Sequence, residues 1–260
     1  MSYQPSAPLL EVSQPPMYHS YLHSVSQDNS SPNLYPVVSQ PGDFSTSSSE
    51  NYLSQLTQRL LDYQVVVLTN NQESINPYWG QVVECLQMLA SIASPSDIRL
   101  YFSSHPFIVD VTGDSKVEQL LDSHRVSPQG TGYLTSRIKD ILKQHLQELT
   151  SLKCQQIKPL QLVILTDHLM GNIDILRMSL CHFCEGVKKL GLRPRDCLGL
   201  HFFQIGRDPV FKELIDSLRT NLEHSQIIDD LAYNPRLNWD LKYGVLTTLI
   251  DRVRSDVIVL

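Results

Sequence analysis

The amino-acid sequence predicts an α/β protein: a doubly wound parallel sheet with helices on both faces. Two observations carry that prediction. Short, uninterrupted apolar runs rich in β-branched residues, such as Val65-Val66-Val67-Leu68 and Leu160 to Thr166, read as strands buried on both faces. Longer stretches of helical periodicity separate these runs, and strands alternating with helices of that length form parallel sheets wound by right-handed crossovers.

In chain order, Tyr52, Leu53, Leu56, Leu60 and Leu61 recur at helical spacing and lead into the strand at Val65 to Leu68. Val82, Val83, Leu86, Leu89 and Ile92 mark an amphipathic helix that stops before Pro95, and Ile98 to Phe102 reads as the second strand. A short strand is expected at Phe107 to Val111 and a helical turn around Val117 to Leu121. After Gly130, residues Leu134, Ile138, Ile141, Leu142 and Leu146 share one helical face; Pro159 closes the connection to the strand at Leu160 to Thr166. A helix follows over Ile173 to Leu190, ended by Gly191, and then a strand over Cys197 to Ile205. The chain continues with a helix over Pro209 to Leu222, a short strand at Ile227-Ile228 and a last helix over Leu241 to Val257. No repeat of fixed period is visible.

Residues 1–50 are different in kind. They contain no Lys or Arg and only four acids, with Ser, Pro and Gln between scattered tyrosines. Such a segment buries too little apolar area to offset its ordering entropy, so a disordered leader is expected over 1–50 and a folded domain over 51–260. Tyr3, Tyr18, Tyr21 and Tyr35, with Pro16 and Pro36 nearby, suit either a short docking motif or a solubilising leader. The Asn29-Ser30-Ser31 sequon has meaning only in a secreted chain.

Across all 260 residues, 42% are hydrophobic, 18% charged and 8% aromatic, with 21 Lys+Arg against 27 Asp+Glu and a net charge of -6. No basic cluster appears, which argues against nucleic-acid binding. No run approaches the ~20 apolar residues of a membrane span, and no basic segment leads into an apolar one at the N-terminus, so a cytoplasmic protein is expected. Five cysteines, an odd number without a secretory signal, are expected as reduced thiols.

In an open parallel sheet, ligands bind beyond the carboxyl ends of the strands. The segments there are Thr69-Asn70-Asn71-Gln72-Glu73-Ser74, Asp167-His168 and Gly206-Arg207-Asp208-Pro209, with Gly130-Thr131-Gly132-Tyr133 entering a helix. Hydroxyls, amides and carboxylates of this kind are hard oxygen donors suited to Mg²⁺ or Ca²⁺. No GxGxxG or GxxxxGK[ST] phosphate cradle is present.

The stretch from Leu162 to Leu222 carries a family resemblance: LVILTD, a long helix, then LGLHFFQIGRDPVFKELIDSL, with Trp79 at the opening of the first long helix. From about Tyr52 to Ile258 the chain resembles a von Willebrand factor type A (vWA) domain, and most of all the versions in fungal proteins. The resemblance implies a Rossmann-like, mostly parallel six-stranded sheet with a short antiparallel strand at one edge. It also implies a metal-ion-dependent adhesion site at the sheet's upper end. That site is altered here: Thr69 stands where the family's DxSxS motif has its aspartate, Asn71 where the first serine belongs, and Glu73 or Ser74 where the second does. The family's threonine falls on Gly132 or Thr131, and its later aspartate on Asp167. The metal-ligand candidates are therefore Asp167, Thr131, Glu73, Asn71 and Thr69, a set that implies weak or lost divalent binding because affinity follows ligand charge. Without a metal, Asp167 is expected to bond loop amides and cap local structure. Ser74, Tyr78, Tyr133 and His168 are the candidates for partner contact.

Other constellations read as structural. Cys181 and Cys184 lie one turn apart inside a helix with no second CxxC, unlike a redox pair at a helix N-terminus, so packing thiols are expected. There is no GxSxG elbow, and the side chains of Asp167 and His168, adjacent at a strand end, are expected to diverge. His201 reads as a satisfied core histidine, Trp79 as core, and Asp208 as the cap of the following helix. The leading expectation is a non-enzymatic protein-interaction module with no cofactor or a weakly held Mg²⁺ or Ca²⁺, whose partner is another protein. The alternatives are a metal-dependent adhesion module and an α/β enzyme of unrecognised type.

Overall fold

A computed structural model describes residues 58, 60–92, 98–104, 108–111, 134–151, 157–168, 171–231, 244–245 and 248–249. The chain divides into two units, residues 1–43 and 44–260, and every described residue belongs to the second. The leader expected over 1–50, the helical turn at 117–121 and most of the first and last expected helices lie outside the described residues.

Six strands form one sheet: β1 (Gln64–Thr69), β2 (Ile98–Phe102), β3 (Ile108–Val111), β4 (Leu160–Thr166), β5 (Leu198–Gln204) and β6 (Ile228–Leu231). Their spatial order is β3-β2-β1-β4-β5-β6, and every pairing is parallel except β2 with β3 at the edge. The helices are α1 (Trp79–Ile92), α2 (Leu134–Ser151), α3 (Ile173–Lys189), α4 (Pro194–Cys197) and α5 (Val210–Thr220). The doubly wound sheet and its antiparallel edge are those expected from the sequence. Differences sit at the ends and in the shortest pieces. The first long helix begins at Trp79, three residues before its first periodic apolar side chain; of the strand expected at Ile227-Ile228, Ile227 instead closes a 3-10 segment, Ser225–Ile227, and β6 runs from Ile228 to Leu231. Neither the 3-10 segment Glu73–Tyr78 nor the four-residue α4 was expected, because neither is long enough to express a hydrophobic period.

Every residue of β4 and β5 is buried, which is why their sequences show no polar alternation. The pleat sends neighbouring side chains to opposite faces. Val65 and Val67 of β1, Leu100 and Phe102 of β2, and Val163 and Leu165 of β4 meet Trp79, Val82, Leu86 and Leu89 of α1. Val66, Leu68, Leu162, Ile164, Leu200 and Phe202 meet α2, α3 and α5 through Ile138, Leu142, Leu180, Phe183 and Phe211. A buried phenylalanine such as Phe202 stabilises by about 3–5 kcal/mol relative to alanine, so this layer is where single truncations would unfold the domain.

Two local features, Gly191 and His201, match sequence signals, and the Asn172 cap was not among them. Asn172 caps α3, its side chain accepting the Asp174 N–H at 2.7 Å, and Gly191 ends that helix with φ 76°. His201 is fully buried: its Nε2 lies 2.7 Å from Gln161 Oε1 and its Nδ1 3.3 Å from Asp229 Oδ2. Gly199 leaves room for that Gln161 side chain, which a Cβ would strike. His201 is the core histidine the sequence implied, but it is hydrogen-bonded only at Nε2; Nδ1 makes no hydrogen bond among the described residues.

Candidate functional site

Strand order reverses between β1 and β4, so a crevice opens above their carboxyl ends. Register sets Thr69 opposite Leu165, and the ladder continues into the loops: the Asn70 N–H donates to the Leu165 carbonyl at 2.9 Å, the Ser103 N–H to Thr69 at 3.0 Å, and the Ile205 N–H to Thr166 at 2.8 Å. The loops after β1, β2, β4 and β5 are thus pinned side by side.

Asp167, 8% exposed, is the hub. Its Oδ1 accepts from Asn70 Nδ2 at 2.6 Å, its Oδ2 lies 2.8 Å from His168 Nδ1, and the Ser74 hydroxyl also donates to it. Burial opposes ionisation, but the bonds from His168, Ser74 and Asn70 outweigh it and hold the carboxyl below the usual range. The hydrogen bond to Asp167 raises His168 above its ordinary value against the opposing effect of burial, with further help from the charges of Asp167 and Asp208. Asn70 Oδ1 accepts in turn from Ser103 Oγ at 3.1 Å and from the Gln72 N–H at 3.2 Å. Asn71 Oδ1 accepts from the Ser104 N–H at 3.1 Å and Ser104 Oγ at 2.7 Å, and lies 3.2 Å from Ser103 Oγ, whose single proton it shares with Asn70 Oδ1.

The expected divergence of Asp167 and His168 is therefore wrong. Alternation holds only while the chain stays extended, and here it turns: Thr166 Oγ1 donates to the His168 carbonyl at 2.6 Å, folding the chain back so that the imidazole meets its neighbour's carboxylate.

Of the other sequence candidates, Thr69 ends β1 fully buried, its hydroxyl donating to the Asn70 carbonyl at 3.3 Å, and Asn71 is buried beside Ser103 and Ser104. Glu73 is exposed on the 3-10 segment, away from full burial, whereas Ser74 reaches Asp167. Tyr78 is half-buried over Gly206, whose φ is 90° and where a Cβ would lie 3.0 Å from the ring. Thr131 and Tyr133 lie outside the described residues. Trp79 is core at 3% exposure, and the Asp208 carboxylate accepts the Val210 N–H at 3.0 Å at the start of α5. Asn70, Ser103 and Ser104 were not singled out. The serines follow β2 directly, so the strand-end rule, applied to the second strand, would have found them.

The cluster is not a nucleophile relay. A serine nucleophile has to bond the imidazole, and Ser74 bonds the carboxylate instead. Among the described residues no group of three or more His, Cys, Asp or Glu side chains is placed to hold a metal ion. Cys184 is buried and its thiol pushed up to about 12, first by that burial and then by the Cys181 charge, the reverse of a reactive low-pKa thiol. No helix among the described residues is long and apolar enough to cross a membrane.

No family model and no curated protein matches this chain. Among solved structures, the open conformation of the pilus adhesin SpaC from Lactobacillus rhamnosus GG is similar at 11% identity and a TM-score of 0.45, over 74% of this chain and 30% of the adhesin. The VWA domain of SpRpn10 is similar at 13% identity and a TM-score of 0.42, over 71% of this chain and 94% of that one. Manganese-loaded TRAP protein of Plasmodium vivax is similar at 16% identity and a TM-score of 0.44, over 74% of this chain and 72% of that one. The chain thus spans less than a third of the adhesin's length, and residue roles do not transfer at these identities.

Proposed function

We propose that this is a non-enzymatic protein-interaction module whose upper sheet face is organised by protein donors in place of a divalent ion. The observation that carries the reading is the saturation of Asp167: an amide, a hydroxyl and an imidazole all point at the carboxylate that a cation would need. Among the described candidates, the remaining oxygens do not favour a cation either. Asn71 Oδ1 accepts both Ser104 donors, Thr69 is fully buried, and Glu73 is the only second carboxylate among the candidates. Hard cations require several free oxygens, with charge to hold them. What the face offers a partner is a floor of serines and amides held in place by bonds spanning the strand ends, with Gln72 half-buried and Glu73 and Ser74 exposed at its rim.

A photo-crosslinking amino acid at Gln72 or Glu73 of the full chain, irradiated in extract from the source cells, tests this. A discrete crosslinked product that forms equally with EDTA supports a metal-independent module. A product lost in EDTA and restored by Mg²⁺, Mn²⁺ or Ca²⁺ transfers the assignment to a metal-dependent adhesion module. No product from either position refutes an interaction role for this face.

A further inference from the structure

A second surface lies on the flank of the sheet, away from the strand ends. The helices α2 and α3 each lead into a parallel strand, so they run side by side in the same direction, and a groove of about 510 Å³ lies between them. Leu142, Leu146 and Phe183 form its floor, and α3 raises Ile175 and Met178 beside it. Met178 is 68% exposed and Ile175 39%, two of the three large apolar side chains exposed among the described residues. A single exposed methionine is ordinary, but two apolar residues one helical turn apart above an apolar trough form a patch. Methionine suits such a surface because its unbranched thioether repacks around different shapes.

The charge along this groove is one-sided. Lys139 and Lys143, four residues apart on α2, stand at its edge, and both are exposed. His182 is the remaining ionisable residue of the lining, which contains no carboxylate. Of the acids on these helices, Asp174 holds Arg177 at 2.8 Å and Asp140 lies 3.9 Å from Arg137, while Glu185, one turn beyond His182, is exposed and outside the lining. Neither lysine has an ion pair among the described residues, in a chain whose net charge is -6. A cationic edge on an otherwise acidic protein selects an anionic partner.

We infer that the α2–α3 groove is a docking site for an amphipathic helix of another protein, its apolar ridge seated between Phe183, Ile175 and Met178 and its acidic flank against Lys139 and Lys143. A third helix fits such a trough by placing its ridge between the two helices, with anchors at i, i+3 and i+4. The inference is independent of the reading of the upper face, since the two surfaces share no residue.

The test is a displayed library of helical peptides with randomised flanks and an apolar stripe, selected against the full chain alone, the enriched peptides then being measured on Met178→Glu. Met178 is exposed, so that variant keeps its core, and an unchanged melting temperature verifies it. Enriched peptides should carry Asp or Glu on one flank and lose binding to Met178→Glu. Lys139→Glu with Lys143→Glu should weaken them about tenfold at low salt, as expected for two partly exposed ion pairs. The inference is overturned if no peptide is enriched, if enriched peptides lack the acidic flank, or if they bind Met178→Glu equally. It is equally overturned in favour of another occupant if Met178→Glu converts a dimer into a monomer, or if it abolishes binding to phosphatidylserine vesicles.

Discussion

Replacing Asn70 by aspartate is nearly isosteric and converts a donor into a second carboxylate. The new group lies where Nδ2 now sits 2.6 Å from Asp167 Oδ1, and two carboxylates that close cannot both stay ionised. Holding one proton at pH 8 on a group with an ordinary pKa near 3.9 costs about 1.4 kcal/mol per pH unit, a ceiling of about 5–6 kcal/mol. His168 and Ser74 still donate to Asp167 and relieve part of this, leaving about 2–4 kcal/mol. For a domain in the 150–250-residue class that lowers the melting temperature by about 5–15 °C. The sign with pH is fixed. At pH 5 the shared proton costs only about 1.5 kcal/mol, so the gap between Asn70→Asp and the parent shrinks on acidification. Melting followed by circular dichroism at both pH values with EDTA reads this directly, and adding Mg²⁺ at pH 8 should recover part of the loss by supplying the missing positive charge. Equal melting temperatures at pH 8, or a loss that does not change with pH, would refute the idea that the Asn70 amide stands in for a cation.

Further outcomes follow from single positions. Gly206→Ala combines a φ of 90° with a Cβ 3.0 Å from the Tyr78 ring and should destabilise by about 1–3 kcal/mol, whereas Gly80→Ala, exposed in α1 with nothing within 4 Å, should stabilise by up to about 1 kcal/mol; urea melts of the pair measure both. His145 is buried, its Nε2 3.3 Å from the Cys197 carbonyl and its ring stacked on Phe183 at 6.0 Å, and burial holds its pKa below 6.5 despite Glu148 at 3.8 Å. The unfolded chain therefore takes up a proton near pH 6.5 that the folded chain refuses, so stability falls as pH drops below 6.5, and His145→Leu should flatten that slope in denaturant melts at pH 7, 6 and 5. Iodoacetamide at pH 8 should leave Cys184 unmodified in the native protein and react with it only after denaturation, as read by peptide mass spectrometry, because its thiol titrates at about 12.

The sheet was legible because burial on both faces leaves an unambiguous trace. Leu160 to Thr166 and Ile98 to Phe102 are strands with the same ends in the sequence and in the structure, since an apolar run bounded by proline or polar residues has few alternatives. The upper face was only half legible, for reasons that differ from residue to residue. Asp167 was visible as a lone acid after a buried strand, but its partners Asn70 and Ser74 come from the loop after β1, at sequence separations that no local pattern encodes: Asn70 is 97 residues away. The Asp167 and His168 contact was misread because the alternation of a strand was extended one residue past Thr166, where a hydroxyl bond to the His168 carbonyl had already ended it. The α2–α3 groove was invisible for the opposite reason. The periodicity that identifies α3 marks its buried side, Leu176, Leu180, Phe183 and Val187, while Ile175 and Met178 on the exposed side interrupt the polar pattern by too little to register. Sequence pattern thus finds what an element turns toward its own sheet. What it offers to another molecule shows only when the elements are set side by side, and in this domain the polar contacts at the strand ends and the apolar trough on the flank both arise from such neighbours.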